Sequence, residues 1–223
     1  MPQVDIEKQF GDRIEAIWKE ARLLNLNLEA IKTLGYALPQ AIQKNAVLFI
    51  GINPSFNDGD KPGSKYYPLE SNEHPFFTRF RTLSEETGLT WAHLDLLFVR
   101  ETSHKAIASF LKDAKGKAFL MRQFALSKEI LERARPRIIV VCNTLARDLL
   151  CGGDEKLPGA EDRPFDFVFD DALGTRKIVN HPTLENTPVF FTSMLTGQRA
   201  MDNGSFERLV WHCKFIHHYT SGR

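Results

Sequence analysis

The residues best suited to chemistry form a short polar turn directly after an apolar stretch. Five apolar residues at 46–50 lead into a turn from Gly51 to Ser55. An uninterrupted apolar run with β-branched residues is typical of a central parallel strand that is covered on both faces. Gly51 lets the backbone approach a ligand closely, and Pro54 biases Asn53 toward an extended conformation. The Asn53 amide could therefore hold a water molecule or donate a hydrogen bond at the end of a strand.

The position of this turn favours a ligand site. In an open α/β sheet, ligands bind beyond the carboxyl ends of the strands, which is where the turn would lie. A structural Asn-Pro turn that merely ends a core strand is an equally good interpretation of the local sequence. We expect Asn53 to face the cleft and to contribute little to stability.

A long irregular segment follows at 56–68, rich in glycine, proline, asparagine and aspartate. Segments of this length without regular structure are usually functional or disordered. This one carries Tyr66 and Tyr67. The tyrosines could offer a stacking surface to a planar ligand such as a nucleobase, or they could simply anchor the loop.

Three more strands are predicted at 94–99, 137–142 and 188–195, and helices alternate with the strands along the chain. The repeated order of strand, crossover helix and parallel strand predicts an α/β fold with three layers, α/β/α, around a four-stranded parallel sheet. We expect a single domain over 1–223. N-terminal helices occupy about 1–40, and a hairpin-like segment is inserted at about 152–180.

The charge is balanced overall but unevenly distributed. The formal net charge is +1, which favours neither an acid-binding nor a membrane-binding protein as a whole. From 100 to 147 there are eleven lysines and arginines against four acids, net +7, and from 154 to 171 two against seven, net −5. One face could therefore be basic, although scattered, solvated helix charges are the plain alternative.

Cysteine and histidine usage predicts no metal, cofactor or disulfide framework. The three cysteines are widely spaced, which favours a reducing, cytoplasmic setting. The seven histidines show no ligand spacing with acids or cysteines. There is no leader-like start and no run of eighteen apolar residues, so we expect a protein that is not associated with a membrane. We also expect a monomer.

The polar turn resembles the first motif of the uracil-DNA glycosylase superfamily, in the mismatch-specific thymine/uracil branch, where it is written G-I-N-P-G. Here it stands as Gly51-Ile52-Asn53-Pro54-Ser55 and departs only at the last position. By element order the resemblance runs from about 47 to the C-terminus. It implies a uracil-DNA glycosylase-like fold and, with right-handed crossovers, the strand order 2-1-3-4.

The resemblance also implies roles for individual residues. Asn53 would be catalytic, and its neighbours Gly51, Ile52, Pro54 and Ser55 would bind the base. Tyr66 falls where the family has an aromatic residue that stacks on the flipped base. The stretch His74-Pro75 with Arg79-Phe80 is similar to the helix that follows in this branch.

The second family motif is His- or Asn-Pro-Ser, followed by a loop that enters the minor groove. The stretch similar to it here is 191–199, in which Phe191 and Thr192 replace the first two motif residues. Ser193 would match the phosphate-binding serine and Leu195 the wedge, with Arg199 as a further DNA contact. If Arg100, Lys105 and Arg199 face the same cleft as Asn53, DNA binding should weaken steeply with salt, because each phosphate contact releases counterions.

The implied function is a DNA glycosylase that hydrolyses the N-glycosidic bond of uracil or of a mismatched or damaged base in duplex DNA, as in base excision repair. Such a site needs a positioned water, a stacking surface and donors for the departing base. Because an amide is no general base, the reaction should be slow. Two alternatives stay open: a catalytically silent nucleic-acid or nucleotide binder on the same fold, and a hydrolase of a small nucleoside-type substrate.

Overall fold

The computed structural model describes residues 2–21, 24–57, 59–70, 74–152, 164–197 and 200–221. The strands are β1 (Gln3–Asp5), β2 (Ala37–Pro39), β3 (Ala41–Gln43), β4 (Val47–Gly51), β5 (Lys65–Tyr67), β6 (Trp91–Asp95), β7 (Ile138–Val141), β8 (Phe167–Asp170), β9 (Thr175–Ile178) and β10 (Pro188–Phe191). The helices are α1 (Ile6–Glu20), α2 (Leu26–Thr33), α3 (Thr78–Thr87), α4 (His104–Lys112), α5 (Ala114–Ala134), α6 (Thr144–Leu150) and α7 (Asn203–Ser221), and a 3-10 turn at Pro75–Phe77 precedes α3.

A mostly parallel six-stranded sheet forms the centre of the fold, in the order β6-β4-β7-β10-β9-β8. The pairings of β4 with β6 and β7, and of β7 with β10, are parallel. The last two pairings are antiparallel. The predicted α/β class and parallel sheet are confirmed, but the sheet has six strands rather than four. The inserted hairpin is the reason, since its strands β8 and β9 extend the sheet beyond β10.

Helices cover both faces of the sheet. Alternate residues of β4 enter two separate hydrophobic clusters. Leu48 and Ile50 pack on the side of α1, α4 and α5, whereas Val47 and Phe49 pack on the side of α3 and α7. All four side chains are buried, which explains why this strand shows no alternation of polar and apolar residues. No helix within the described ranges has the length and apolar content that a membrane crossing requires.

The second predicted strand is displaced. The apolar run at 94–99 suggested a strand there, but β6 occupies Trp91–Asp95, and the chain turns away from the sheet after it. The buried backbone N–H groups of Phe98 and Val99 donate to Gln123 Oε1 of α5, at 2.7 and 3.1 Å. A side chain of α5 thus replaces the neighbouring strand as the hydrogen-bond partner. Ser127 assists by donating to the Leu96 carbonyl at 2.8 Å.

The irregular segment after the polar turn is docked on the N-terminal part of the chain. Strand β5 pairs in parallel with β2, and the Gly63 N–H donates to the Leu34 carbonyl. Gly35 has a φ of +80°, and a Cβ there would collide with the Gly63 backbone. A glycine is therefore required where the two segments meet.

We expect Gln123→Leu to lower the free energy of unfolding by about 3 kcal/mol, because two buried N–H groups lose their acceptor while the volume changes little. Urea denaturation followed by circular dichroism measures this. The same change at the exposed Gln9 of α1 is the matched control and should stay within about 0.5 kcal/mol of the wild type. Equal effects at the two positions would contradict the role assigned to Gln123.

Candidate active site

The polar turn lies at the carboxyl edge of the parallel strands and is fastened to the segment that leaves β6. Backbone N–H groups of Leu96, Leu97 and Glu101 donate to the carbonyls of Gly51, Ile52 and Pro54, at 3.1, 2.8 and 2.9 Å. These bonds continue the pairing of β4 and β6 past the end of the sheet. The turn is therefore held in a fixed position.

The Asn53 side chain takes part in this fastening. Its Nδ2 donates to the carbonyls of Glu101 at 2.6 Å, Pro54 at 3.1 Å and Val99 at 3.3 Å. The amide nitrogen is committed to the protein, so the group that remains for a ligand or a water is Oδ1. These bonds tie the turn to its neighbour, so they argue against the sequence-based expectation that Asn53 contributes little to stability.

A pocket of about 460 Å³ opens beside the turn. All five residues from Gly51 to Ser55 line it, as does Leu195 in the segment that follows β10. The wall on the α3 side is aromatic and is formed by Phe76, Phe77, Phe80 and Tyr67. The volume lies within the range of small-molecule sites, and the mixture of apolar walls with a few polar groups is typical of them.

The two adjacent tyrosines point in opposite directions, as successive residues of a strand do. Tyr67 lines the pocket. Tyr66 instead packs edge-on against Tyr36, with ring centroids 5.6 Å apart, on the side of the other hydrophobic cluster. The interpretation of Tyr66 as the stacking residue is corrected by this geometry, since Tyr67 is the tyrosine that faces the pocket.

Two polar residues that the sequence analysis missed lie at the closed end of the pocket. His93 and Asp95 of β6 point to the same face, and their exposures are 3% and 8%. Strand register pairs Asp95 with Gly51, and a Cβ on Gly51 would collide with Asp95 Oδ1. The absence of a side chain at Gly51 thus makes room for the carboxyl group.

Burial dominates the ionisation of both groups. His93 Nε2 lies 3.7 Å from Asp95 Oδ1, too far for a hydrogen bond that would stabilise either charge. Burial raises the pKa of Asp95 from its ordinary 3.8 to about 7. Burial also lowers the pKa of His93 from 6.5 to about 3. The closed end of the pocket therefore favours a neutral imidazole beside a carboxyl group that titrates near neutral pH.

The segment that follows β10, at 192–197, is docked against α3. Arg79 donates to the carbonyls of Leu195 at 3.0 Å and Met201 at 2.6 Å, and to Asn203 Oδ1 at 2.7 Å. Leu195 is 1% exposed within a hydrophobic cluster, so it has no free surface with which to enter a duplex and is not a wedge in this conformation. Ser193 is exposed, and Arg199 lies outside the described residues.

Arg100 is a second arginine that is committed to the protein. It is 3% exposed and donates to Asp60 Oδ2 at 2.7 Å and to the carbonyls of Lys61 and Gly63 at 3.0 and 3.3 Å. Its guanidinium also lies over the Phe56 ring, 4.7 Å from the centroid. Arg100 therefore does not meet the condition of a free cation facing the cleft, since it holds the irregular segment in place instead. Lys105 is exposed at the start of α4.

The pocket lining also contains a cysteine. Cys142 lies in the lining, where burial raises the pKa of its thiol to about 12 and keeps it protonated. Within the described ranges, no group of three or more histidine, cysteine, aspartate or glutamate side chains is arranged to hold a metal ion. A protonated thiol is a weak nucleophile, so Cys142 is not suited to attack a substrate.

No protein-family model matches the chain, and a search of curated proteins finds no match.

We expect Asp95→Asn to stabilise the protein progressively as the pH rises from 4 to 7. In the wild type the folded state holds its Asp95 proton up to about pH 7, whereas the unfolded chain releases it near 3.8. Wild-type stability from this group is therefore present below pH 3.8 and lost as the pH rises through 7. The difference between variant and wild type should grow by up to about 4 kcal/mol across that range.

Urea unfolding at pH 4.5, 6 and 7.5 measures the effect. The exposed Asp171→Asn should show no such trend and serves as the control. A difference between Asp95→Asn and wild type that is constant across pH would show that the Asp95 carboxyl titrates normally.

Proposed function

We propose that this chain hydrolyses the N-glycosidic bond of uracil, or of a mismatched or damaged base, in DNA, on a fold of the uracil-DNA glycosylase type. The observation that carries the proposal is that the Gly-Ile-Asn-Pro-Ser turn lines a pocket with aromatic walls and a polar closed end. A planar base fits such a surface, since its faces stack on rings and its edge forms hydrogen bonds. The strand order β6-β4-β7-β10 supports the fold-level part of the proposal.

In the proposed reaction, Asn53 positions the attacking water. The bond between the sugar carbon and the base nitrogen breaks with its electron pair leaving on the base, and water adds to the sugar cation. Asn53 Oδ1 accepts a hydrogen bond from that water and holds it in place. Because the amide does not remove the proton, the water loses it to solvent after the addition, and the rate stays low.

A hydrolase of a small nucleoside is the second candidate, and the arginines favour it. Arg79 and Arg100 lie near the pocket, but the guanidinium group of each donates hydrogen bonds to carbonyls and side chains of the protein. Fewer cations then remain for the phosphates of a duplex. Excision from a uracil-containing duplex that weakens steeply with salt would support the DNA substrate. Cleavage of free deoxyuridine with a flat salt response would support the nucleoside.

We expect Asn53→Ala to slow excision about a hundredfold to a thousandfold, as the loss of one positioned hydrogen-bonding group in a dry site costs roughly 2.7–4 kcal/mol. It should also lower the free energy of unfolding by about 1–2 kcal/mol through its lost bonds to the backbone. Single-turnover release of uracil from a G·U duplex measures the rate, and urea unfolding measures the stability.

Asn27→Ala, on the exposed surface of α2, is the matched control and should leave both quantities unchanged. Equal excision rates for wild type and Asn53→Ala would refute the role of Asn53. Duplex binding without any excision by the wild type would instead identify the chain as a silent binder.

The adjacent tyrosines provide a second test. Tyr67→Leu should weaken the binding of free uracil about tenfold, because a ring that contacts a base contributes roughly 1–3 kcal/mol. Tyr66→Leu should leave uracil affinity unchanged and reduce stability, because it removes the contact with Tyr36. Isothermal titration and thermal unfolding of both variants separate the two effects. Equal losses of affinity would refute the assignment of Tyr67 to the pocket wall.

A further inference from the structure

The closed end of the pocket holds a histidine whose ring nitrogens the protein leaves unsatisfied and, beside it, a carboxyl group. Both ring nitrogens of His93 are buried and lack a hydrogen-bond partner among the described residues. Within the same residues, no side chain or backbone group donates to the Asp95 carboxyl, and its Oδ1 lies 3.7 Å from His93 Nε2, beyond hydrogen-bond distance. Buried polar groups are nearly always hydrogen-bonded, so an unsatisfied imidazole that lines a pocket beside a carboxyl group indicates a place for a ligand.

The surroundings of Asp95 contain no counter-charge within the described part of the chain. Strand β6 contributes the neutral His93, β4 contributes the backbone of Gly51, β5 contributes the Tyr67 phenol and the end of β7 contributes the Cys142 thiol. The rings of Phe76, Phe77 and Phe80 pack on His93 from the α3 side, with centroids 5.7, 5.4 and 5.7 Å away.

The other charged groups of the lining lie nearer the mouth. Asp60 is paired with Arg100, and the Glu101 carboxylate accepts from the Ser103 N–H at 2.6 Å. Lys65 and His74 are exposed. Asp95 is thus the acid of the described lining that is held in an apolar setting, without a cation and without a donor. Its charged form is disfavoured there, and a ligand that displaced the remaining water would disfavour it further.

We propose that Asp95 recognises the base as an uncharged carboxylic acid, so that binding takes up one proton from solvent. This inference rests on the proposed function and specifies the chemical class of the bound edge. A carboxylic acid offers one O–H donor and one C=O acceptor, which match the C=O and N–H of a lactam edge such as that of uracil. The carboxylate offers only acceptors and would face the ligand carbonyl with a negative charge.

The proton that Asp95 takes up on binding is returned when the ligand dissociates. Solvent supplies the proton when the base enters, the proton stays on Asp95 Oδ while the base is bound, and it returns to solvent when the base leaves. Affinity should therefore be constant at low pH and fall about tenfold for each pH unit above the point at which free Asp95 ionises. Burial raises the pKa of Asp95 to about 7, which places that point near neutrality.

The test is isothermal titration of the purified full chain with free uracil at pH 6, 7, 8 and 8.5. Each titration is done in two buffers of different ionisation enthalpy, which counts the protons taken up. We expect no uptake at pH 6, about one proton at pH 8 and above, and a corresponding fall in affinity. Asp95→Asn keeps the donor and acceptor but has no proton to exchange, so its binding should show no uptake and no pH dependence. Asp171→Asn should behave as the wild type.

Binding by the wild type without proton uptake, or proton-linked binding retained in Asp95→Asn, would overturn the inference and leave the proposed function intact. Proton-linked binding of uracil by a protein that excises no base would support the inference and refute the proposed function. Absence of uracil binding by all three proteins across the pH range would overturn the inference, whereas release of uracil from a G·U duplex decides the proposed function separately.

Discussion

The site depends on one row of hydrogen bonds, which joins the segment that follows β4 to the segment that follows β6. Inside the sheet the two strands pair in the ordinary parallel manner, up to Gly51 and Asp95. Beyond it, the backbone bonds to the Gly51, Ile52 and Pro54 carbonyls and the Asn53 amide continue the connection. Both segments are irregular, yet each satisfies the polar backbone groups of the other, as buried chain must. The turn that lines the pocket is therefore fixed by backbone hydrogen bonds, as a strand in a sheet is.

The parts of the fold that the sequence predicted are those with a local cause. A strand buried on both faces requires an apolar run, and the runs at 46–50 and 137–142 correspond to β4 and β7. The end of β6 has a distant cause instead, because Gln123 binds the chain 24 residues before it. No pattern within 94–99 reveals that partner, so the apolar run alone placed the strand too late.

For the site as well, the sequence predicted the features with a local or topological cause and missed those that depend on distant contacts. The turn after β4 lines the pocket because its position at a strand end is a matter of topology. The choice between Tyr66 and Tyr67 depends on the pleat of a strand of only three residues, in which a shift of one position exchanges the faces. The burial of Arg100 required tertiary structure, because the sequence shows a cation and not its partners. Asp95 did leave a signal, as an acidic residue within the predicted apolar strand at 94–99, and His93 stands two positions before it.

The relation between Gly51 and Asp95 extends beyond the pocket itself. The carboxyl group occupies the volume that any side chain at position 51 would need. The two positions lie 44 residues apart on different strands, yet a side chain at 51 and the present position of the Asp95 carboxyl group exclude each other. A residue larger than glycine at 51 would force the carboxyl group to turn away, so it would move the acid of the pocket without touching residue 95. Loss of the carboxyl group at 95 would remove that conflict, so the effect of a substitution at either position should depend on the residue at the other.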